Sequence, residues 1–319
     1  MTNRNEPDSR ALKAFITMAE SNSLSDAARK AGVTQPAMSR TLKNLEKLFG
    51  TSLVERRTKP VKLTAAGHIL KRNADLIVGD LRRLNAKVRE NSAKGLVQCR
   101  MGLVTSCSEV FGSSLLGTLN KQTQYIAFRS GLTPPLTEDF LNRDIDILIS
   151  DETLDGVDKI ERFKLFKDPL FMVLPKKPTM LRDMPMSKIL ESLPLIKYGR
   201  HSYIGGHVEV ALRRMKLSTE VRYETDDTHT LVNFVKDGRG WGILSHLCLV
   251  QVLHLKDHII CRELDKGRHA RDIYLICRKG ELGSLPNRIA KIVRQVFIHD
   301  VFPQLKQMEP WMTPAHFGI

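Results

Sequence analysis

The sequence lacks a hydrophobic run long enough to cross a bilayer. Its best apolar stretch, residues 240–255, is short and is interrupted by His246, Gln251 and His254. The first ten residues are polar and lack the apolar core of a secretory signal. These absences predict a cytoplasmic protein with no membrane partner.

Cysteine is scarce, and motifs for catalysis are missing. The five cysteines form no CxxC pair and show no zinc-ligand spacing, which predicts buried free thiols in a reducing compartment. No HExxH, GxSxG or Walker motif occurs. The glycines of residues 238–242 follow a predicted helix and precede a strand, the reverse of the order that a phosphate loop needs. We therefore expect no metal, no cofactor and no enzyme activity.

Positive charge is abundant and unevenly distributed. The chain of 319 residues has a net charge of +15. Residues 1–95 carry 19 Lys and Arg against 9 Asp and Glu, a net +10, and the remainder carries 31 against 26, a net +5. A basic segment favours a polyphosphate partner, because each neutralised phosphate releases counterions.

Three short helices are predicted near the N-terminus. Apolar spacing predicts the first over residues 10–20, and Ser23 or Ser25 can cap the second. Thr34 is expected to cap the third, because Pro36 then falls in the first turn, where a missing N–H costs nothing. Small and apolar residues are expected to hold the second and third helices together: Ala27, Ala28, Ala31, Val33, Met38, Leu42 and Leu45.

The start of the third helix carries side chains suited to DNA. Gln and Arg form paired hydrogen bonds with purines, and an apolar group such as Pro36 can touch a thymine methyl. Two short strands are predicted within residues 51–64, around a basic turn at 57–60 that can reach phosphates or the minor groove as a wing. The residues expected to contact a double-stranded DNA operator are Ser25, Thr34, Gln35, Pro36, Ser39, Arg40, Lys43, Arg56, Arg57 and Lys59.

The runs AFITMAESNSLSDAARKAGVTQPAMSRTLKNLEKLFGTSLVERR and KLTAAG resemble the N-terminal domain of LysR-type transcriptional regulators. This resemblance implies a winged helix-turn-helix over residues 1–64. It also implies that the following helix pairs two subunits, that dimers assemble into tetramers, and that RNA polymerase is a further candidate partner.

A long helix is predicted from residue 65 to residue 91, within a linker segment of residues 65–95. Apolar residues recur along it in alternating steps of four and three, the pattern of a seam between two helices. Packing against the chain's own second domain is the alternative use of such a face. The residues expected at the dimer seam are Leu70, Ala74, Ile77, Leu81, Leu84 and Val88.

Residues 96–319 alternate between predicted strands and helices. This order predicts an α/β domain with a parallel sheet and covering helices. It resembles the effector-binding domain of the same family, which is built like a periplasmic binding protein from two α/β subdomains. The expected bounds are about 96–166 with 267–319 for the first subdomain and about 167–266 for the second.

A small-molecule effector is expected between the two subdomains, beyond the carboxyl ends of the strands. By resemblance, Ser106 and Thr133 fall where family members contact their effector. An anionic effector is favoured if Arg129 or Arg200 faces the cleft, because guanidinium pairs with carboxylate. The candidate residues are Thr105, Ser106, Cys107, Arg129, Thr133, Arg200, His201, Thr228 and His229.

The features together predict a sequence-specific DNA-binding regulator whose activity is controlled by a small molecule. The alternative is an architectural DNA-binding protein whose C-terminal domain only oligomerises. Such a protein would have an empty or collapsed cleft and little base specificity.

Overall fold

A computed structural model of the protein describes residues 6–55, 61–90, 97–119, 123–199, 202–264 and 268–318. The chain divides into two compact units, residues 1–93 with 280–283 and residues 94–279 with 284–319. No helix among the described residues combines the length and the apolar character that a membrane span requires.

The first unit is helical. Asp8, Ser23 and Thr34 cap its first three helices, since each side chain accepts a backbone N–H from the first turn. Gly50 ends the third helix in the left-handed conformation, with φ of 65°. The helices are α1 (Ser9–Ala19), α2 (Leu24–Lys30), α3 (Gln35–Phe49) and α4 (Ala65–Glu90).

The core of this unit lies where α1, α2 and α3 cross. Ala27 and Ala28 are buried, so small side chains do allow the close helix crossing expected from the sequence. Two residues of the predicted packing set are exposed: Ala31, and Val33, which precedes the Thr34 cap and is 46% exposed. The predicted packing role of these two residues is therefore wrong. The buried residues are Phe15, Met18, Ala27, Ala28, Met38, Leu42, Leu45 and Leu53.

The predicted wing is reduced to a minimal antiparallel pairing. Val54 and Leu63 form one isolated bridge, beside which the Glu55 N–H donates to the Lys62 carbonyl at 2.9 Å. Two strands were predicted here, and this single bridge replaces them within the described part. The predicted basic turn at 57–60 lies outside the described residues, which break off after 55 and resume at 61.

The second unit is an α/β structure with strands in the order β2-β1-β3-β9-β4-β7-β5-β6, and β8 pairs with β4. The strands are β1 (Val97–Val104), β2 (Thr123–Gly131), β3 (Ile147–Ser150), β4 (Ile160–Pro175), β5 (Leu195–Tyr198), β6 (Val221–Thr225), β7 (Trp241–Ser245), β8 (Ile259–Glu263) and β9 (Ala270–Arg278). The helices are α5 (Thr105–Leu119), α6 (Thr133–Leu141), α7 (Met186–Ser192), α8 (Tyr203–Arg214), α9 (Thr228–Lys236), α10 (His246–Gln251), α11 (Leu285–Val296), α12 (Phe302–Met308) and α13 (Pro314–Phe317).

Strand β4 joins two subdomains. Its residues 160–169 pair with β9, and its residues 170–175 pair with β7 and β8. The chain returns to the first subdomain between β8 and β9. Charged residues alternate along the first half of this strand, from Ile160, and hide it in the sequence.

Strand direction differs from the wholly parallel prediction. Pairs β1–β2, β1–β3, β5–β6 and β5–β7 are parallel, whereas β4 and β9 run antiparallel to their neighbours. The crossing strands therefore make the sheet mixed. All five cysteines are buried and none forms a disulfide, in agreement with their expected role as small apolar side chains.

Candidate functional site

The first turns of α3 present a polar surface to solvent. Gln35, Pro36, Arg40 and Lys43 are exposed, and Ser39 is half-buried beside them. Thr34 is exposed as well, and its hydroxyl accepts the Ala37 N–H at 3.4 Å.

The opposite face of α3 is held in the core by Met38, Leu42 and Leu45, which are 0%, 6% and 2% exposed. These buried residues alternate with the exposed ones at helical spacing. The helix is therefore anchored in the core on one side while its polar side faces solvent. This is the disposition that a recognition helix needs to reach base edges.

Of the other four residues predicted to contact DNA, only Ser25 lies in the described part of the structure. Ser25 is exposed in α2, but the cap of that helix is Ser23, whose hydroxyl accepts the Asp26 N–H at 3.1 Å. Arg56, Arg57 and Lys59 lie outside the described residues.

The predicted seam on α4 divides into two parts. Ala74 is fully buried against Leu12 and Ile16 of α1, and Leu70 is half-buried against the same cluster. These two positions already have partners within the chain. The stripe Ile77, Leu81, Leu84 and Val88 is 37–61% exposed. We call these four residues the α4 stripe.

A cleft of about 130 Å³ separates the two subdomains of the second unit. Thr105, Ser106, Thr133, Thr228 and His229 line it, as the sequence predicted for the ends of the strands.

Two of the predicted cleft residues lie elsewhere. Arg129 stands inside β2, which continues to Gly131, and its guanidinium pairs with Asp139 at 2.8 Å. Cys107 lies in the first turn of α5, which starts at Thr105, and its side chain is fully buried. Arg200 and His201 lie outside the described residues.

Arg271 forms the floor of the cleft and was not among the predicted effector-binding residues. It is 4% exposed at the start of β9. Its Nε donates to Asp168 at 2.8 Å, and Nη1 lies 3.3 Å from Asp151. Nη2 donates to Ser106 at 2.9 Å and to Ser245 at 3.3 Å. This network joins β9, β3, β4, α5 and β7, and thus both subdomains.

Asp151 is a buried carboxylate with strong partners. Burial raises its pKa, but His207, the charge of Arg271 and the Thr133 hydroxyl together hold the pKa well below its ordinary value. Thr133 donates to it at 2.7 Å. The predicted effector residues Ser106 and Thr133 therefore belong to one ion network at the base of the cleft.

The walls above this floor carry polar and acidic groups. The Tyr198 hydroxyl lies 2.9 Å from the Thr228 hydroxyl, and Tyr203 donates to Glu152. Burial raises the pKa of Tyr198, so this hydroxyl stays neutral. Glu109, Asp226 and Asp227 also line the cleft and were not foreseen. Asp226 and Asp227 directly follow β6, so the strand-end rule could have found them.

Two family models match the chain. The one described as bacterial regulatory helix-turn-helix protein, lysR family, covers residues 9–68, and the one described as LysR substrate binding domain covers residues 98–297. Among curated relatives, the transcriptional regulator TdcA of Escherichia coli is 24% identical over 72% of this chain and 74% of its own length. The regulator EstR of Acinetobacter baylyi is 23% identical over 86% of this chain and 91% of its own.

Solved structures share the fold. A full-length OxyR variant from Pseudomonas aeruginosa has a TM-score of 0.67 at 16% identity, covering 91% of this chain and 98% of that one. Full-length CbnR in complex with its target DNA has a TM-score of 0.51 at 18% identity, covering 91% and 99%.

Proposed function

The chain belongs to the LysR family of bacterial transcriptional regulators, and from this we propose that it binds a specific DNA operator through α3 under the control of a ligand in the cleft. The family consists of DNA-binding regulators with a substrate-binding effector domain. The proposal places the protein in the cytoplasm with the DNA and keeps RNA polymerase as a candidate partner.

The observation that carries the proposal is the exposed polar end of α3. Gln35 and Arg40 are free to donate to base edges while Met38 and Leu42 anchor the same helix in the core. Neighbouring basic residues can position the domain on phosphates without reading sequence.

The open cleft favours ligand control over a purely architectural role. It is lined by residues from both subdomains, and Arg271 ties their strands together below it. A ligand that binds one arrangement of the subdomains better than another shifts the equilibrium between them by that difference in affinity.

Selection of bound duplexes from a randomised library tests the proposal. We expect enrichment of a dyad-symmetric motif whose half-sites are spaced by whole turns of DNA, about 10 base pairs or a multiple. Footprinting on the selected duplex should show protection over both half-sites. Enrichment of no motif, with equal affinity for all duplexes, would instead support the architectural alternative.

The α4 stripe supplies the proposed contact between two subunits. Burying an exposed leucine contributes about 1.5–3 kcal/mol, and a symmetric pair counts each residue twice. Leu84→Glu should therefore shift the protein towards monomer in sedimentation velocity and weaken operator binding. Glutamate is a good helix former, so α4 itself should persist.

Asn85→Glu is the matched control, because Asn85 is exposed on α4 next to the stripe. It adds the same charge and should leave the oligomer intact. Equal sedimentation of Leu84→Glu and the wild-type protein would contradict the assignment of this face.

A further inference from the structure

The last described residues of the chain follow the stretch that matches the family's substrate-binding domain. That stretch ends at residue 297, and residues 298–318 lie beyond it. A helical turn (Phe297–Val301) leads from α11 into α12, and α13 comes last. We call residues 297–318 the strap. It is packed against the rest of the unit, since its large apolar side chains are buried at Phe297, Val301, Leu305, Met312 and Phe317.

The strap starts on the first subdomain. Helix α11, which precedes it, packs against α5 and β9. The Phe297 ring stacks on Phe166 of β4 with ring centroids 4.4 Å apart, and Phe166 in turn lies 5.7 Å from Phe111 of α5. Phe166 belongs to the part of β4 that pairs with β9. The strap is therefore attached to the first subdomain through buried aromatic contacts.

The far end of the strap is bonded to the second subdomain. The Glu309 carboxylate accepts the backbone N–H of Cys261 in β8. Further along, His316 Nε2 lies 3.1 Å from a carboxylate oxygen of Glu263, the last residue of β8. Strand β8 pairs with the part of β4 that belongs to the second subdomain. The strap thus crosses from one subdomain to the other.

Phe317 connects the two ends of the strap beside the crossing strand. Its ring is fully buried and lies 5.1 Å from Phe297 and 5.0 Å from His246, the first residue of α10. His246 Nδ1 is 2.8 Å from the Pro169 carbonyl oxygen, where β4 passes from β9 to its partners in the second subdomain. One side chain therefore contacts a ring that is stacked on the first subdomain and a ring of the second.

We propose that the strap restrains the movement of the two subdomains about their crossing strands and so sets the equilibrium between their arrangements before a ligand binds. A hinge movement changes the angle between the subdomains. It would pull Phe317 away from Phe297 or from His246, and separating buried rings exposes apolar surface to water, which is unfavourable.

The strap acts away from the ligand. None of the described residues that line the cleft belongs to it. A ligand that favours another arrangement must therefore work against the strap, and only the excess of its differential affinity shifts the equilibrium. This regulatory consequence rests on the proposed ligand control of the cleft, whereas the restraint itself does not.

Double electron–electron resonance on the full chain measures the restraint as the spread of distances between two spin labels. All five native cysteines are buried, so labels can be attached selectively at Glu138→Cys on α6 and Arg213→Cys on α8, exposed positions of the first and second subdomain. An excess of unlabelled chain in each oligomer leaves only distances within one chain. We expect one narrow distribution with the native strap and a broader, shifted one after Phe317→Ala.

Leu231→Ala is the matched control. Leu231 is fully buried on α9, where its side chain packs on Gly242 of β7 within the second subdomain. This substitution also leaves a cavity and lowers the melting temperature, but it should leave the width of the distribution unchanged. Trp311→Ala is a second strap variant, because it removes a half-buried ring that lies 6.0 Å from His246, and it should broaden the distribution as well.

An unchanged distribution in both strap variants would overturn the inference and would show that the direct contact between α5 and α10 holds the subdomains. Equal broadening in Leu231→Ala would also overturn it, since general loss of stability would then explain the effect. Should Phe317→Ala not fold, Trp311→Ala decides between these outcomes. The measurement needs neither DNA nor ligand, so its failure leaves the DNA selection described above, and the function that it tests, unaffected.

Discussion

Arg271→Met is expected to destabilise the C-terminal unit by about 3–5 kcal/mol, because it leaves two buried carboxylates without their guanidinium partner. Asp151 and Asp168 are 8% and 1% exposed, so neither can be rescued by solvent. For a unit of this size the loss corresponds to a fall in melting temperature of roughly 10 °C. Differential scanning calorimetry of the full chain measures it.

A compensated variant separates the charge effect from loss of packing. Adding Asp151→Asn and Asp168→Asn to Arg271→Met removes the two stranded charges. The amide oxygens can still accept hydrogen bonds, such as the one that the Leu247 N–H donates to Asp168 at 3.0 Å. We expect the triple variant to melt above the single variant. A melting temperature of Arg271→Met within about 2 °C of the wild type would contradict the role of the network.

The stability of the wild type and that of Arg271→Met should also depend differently on pH. In the wild type the pKa of Asp151 is lowered, so its contribution to stability is present above its ordinary pKa and is lost as the pH falls below that value. In Arg271→Met the charge of Arg271 is gone while burial and the contacts with His207 and Thr133 remain, so the pKa of Asp151 should rise relative to the wild type. The variant should therefore be relatively less destabilised at pH 4 than at pH 7, since a neutral carboxyl is cheaper to bury.

Arg40→Ala is expected to weaken binding of a selected operator by about 30-fold or more. A good base contact contributes about 1–3 kcal/mol of discrimination, and a dimer loses it at both half-sites. On a scrambled duplex the loss should be smaller, because non-specific binding depends on phosphate contacts. Fluorescence anisotropy at fixed salt measures both affinities.

Lys47→Ala is the control for Arg40→Ala. Lys47 is an exposed cation at the other end of α3, so its removal changes net charge equally without touching the reading end. Equal losses on the operator and on the scrambled duplex would identify Arg40 as a phosphate contact. Unchanged affinity would remove Arg40 from the interface.

The N-terminal unit could be predicted closely because its signals are local. The Thr34 cap, Pro36 in the first turn and the spacing of Met38, Leu42 and Leu45 all lie within one helix, and the structure confirms each. Val33 deviates because the turn before the cap places it outside the helical repeat. The apolar repeat along α4 was ambiguous for a different reason. Ala74 in this repeat packs against α1, whereas Leu84 in the same repeat is exposed.

The cleft floor could not be predicted, because it depends on residues far apart in the sequence. Arg271 meets Ser106, Asp151 and Asp168 only after β9 and β4 have crossed between the subdomains. Sequence rules gave the ends of the strands, which located Ser106, Thr133 and Thr228. Strand β2 continues two residues past Arg129 to Gly131, so Arg129 lies within the strand and not at the end that faces the cleft.

Directed DNA cleavage tests most directly whether the start of α3 lies in the major groove. All five native cysteines are buried, so an iron–EDTA reagent can be attached selectively at Gln35→Cys or, as a comparison, at Lys47→Cys. These positions are about 18 Å apart along α3. We expect Gln35→Cys to cut a few nucleotides within each half-site and Lys47→Cys to cut weakly and outside them. Absence of cleavage from position 35, or the same cuts from position 47, would contradict DNA recognition by this helix.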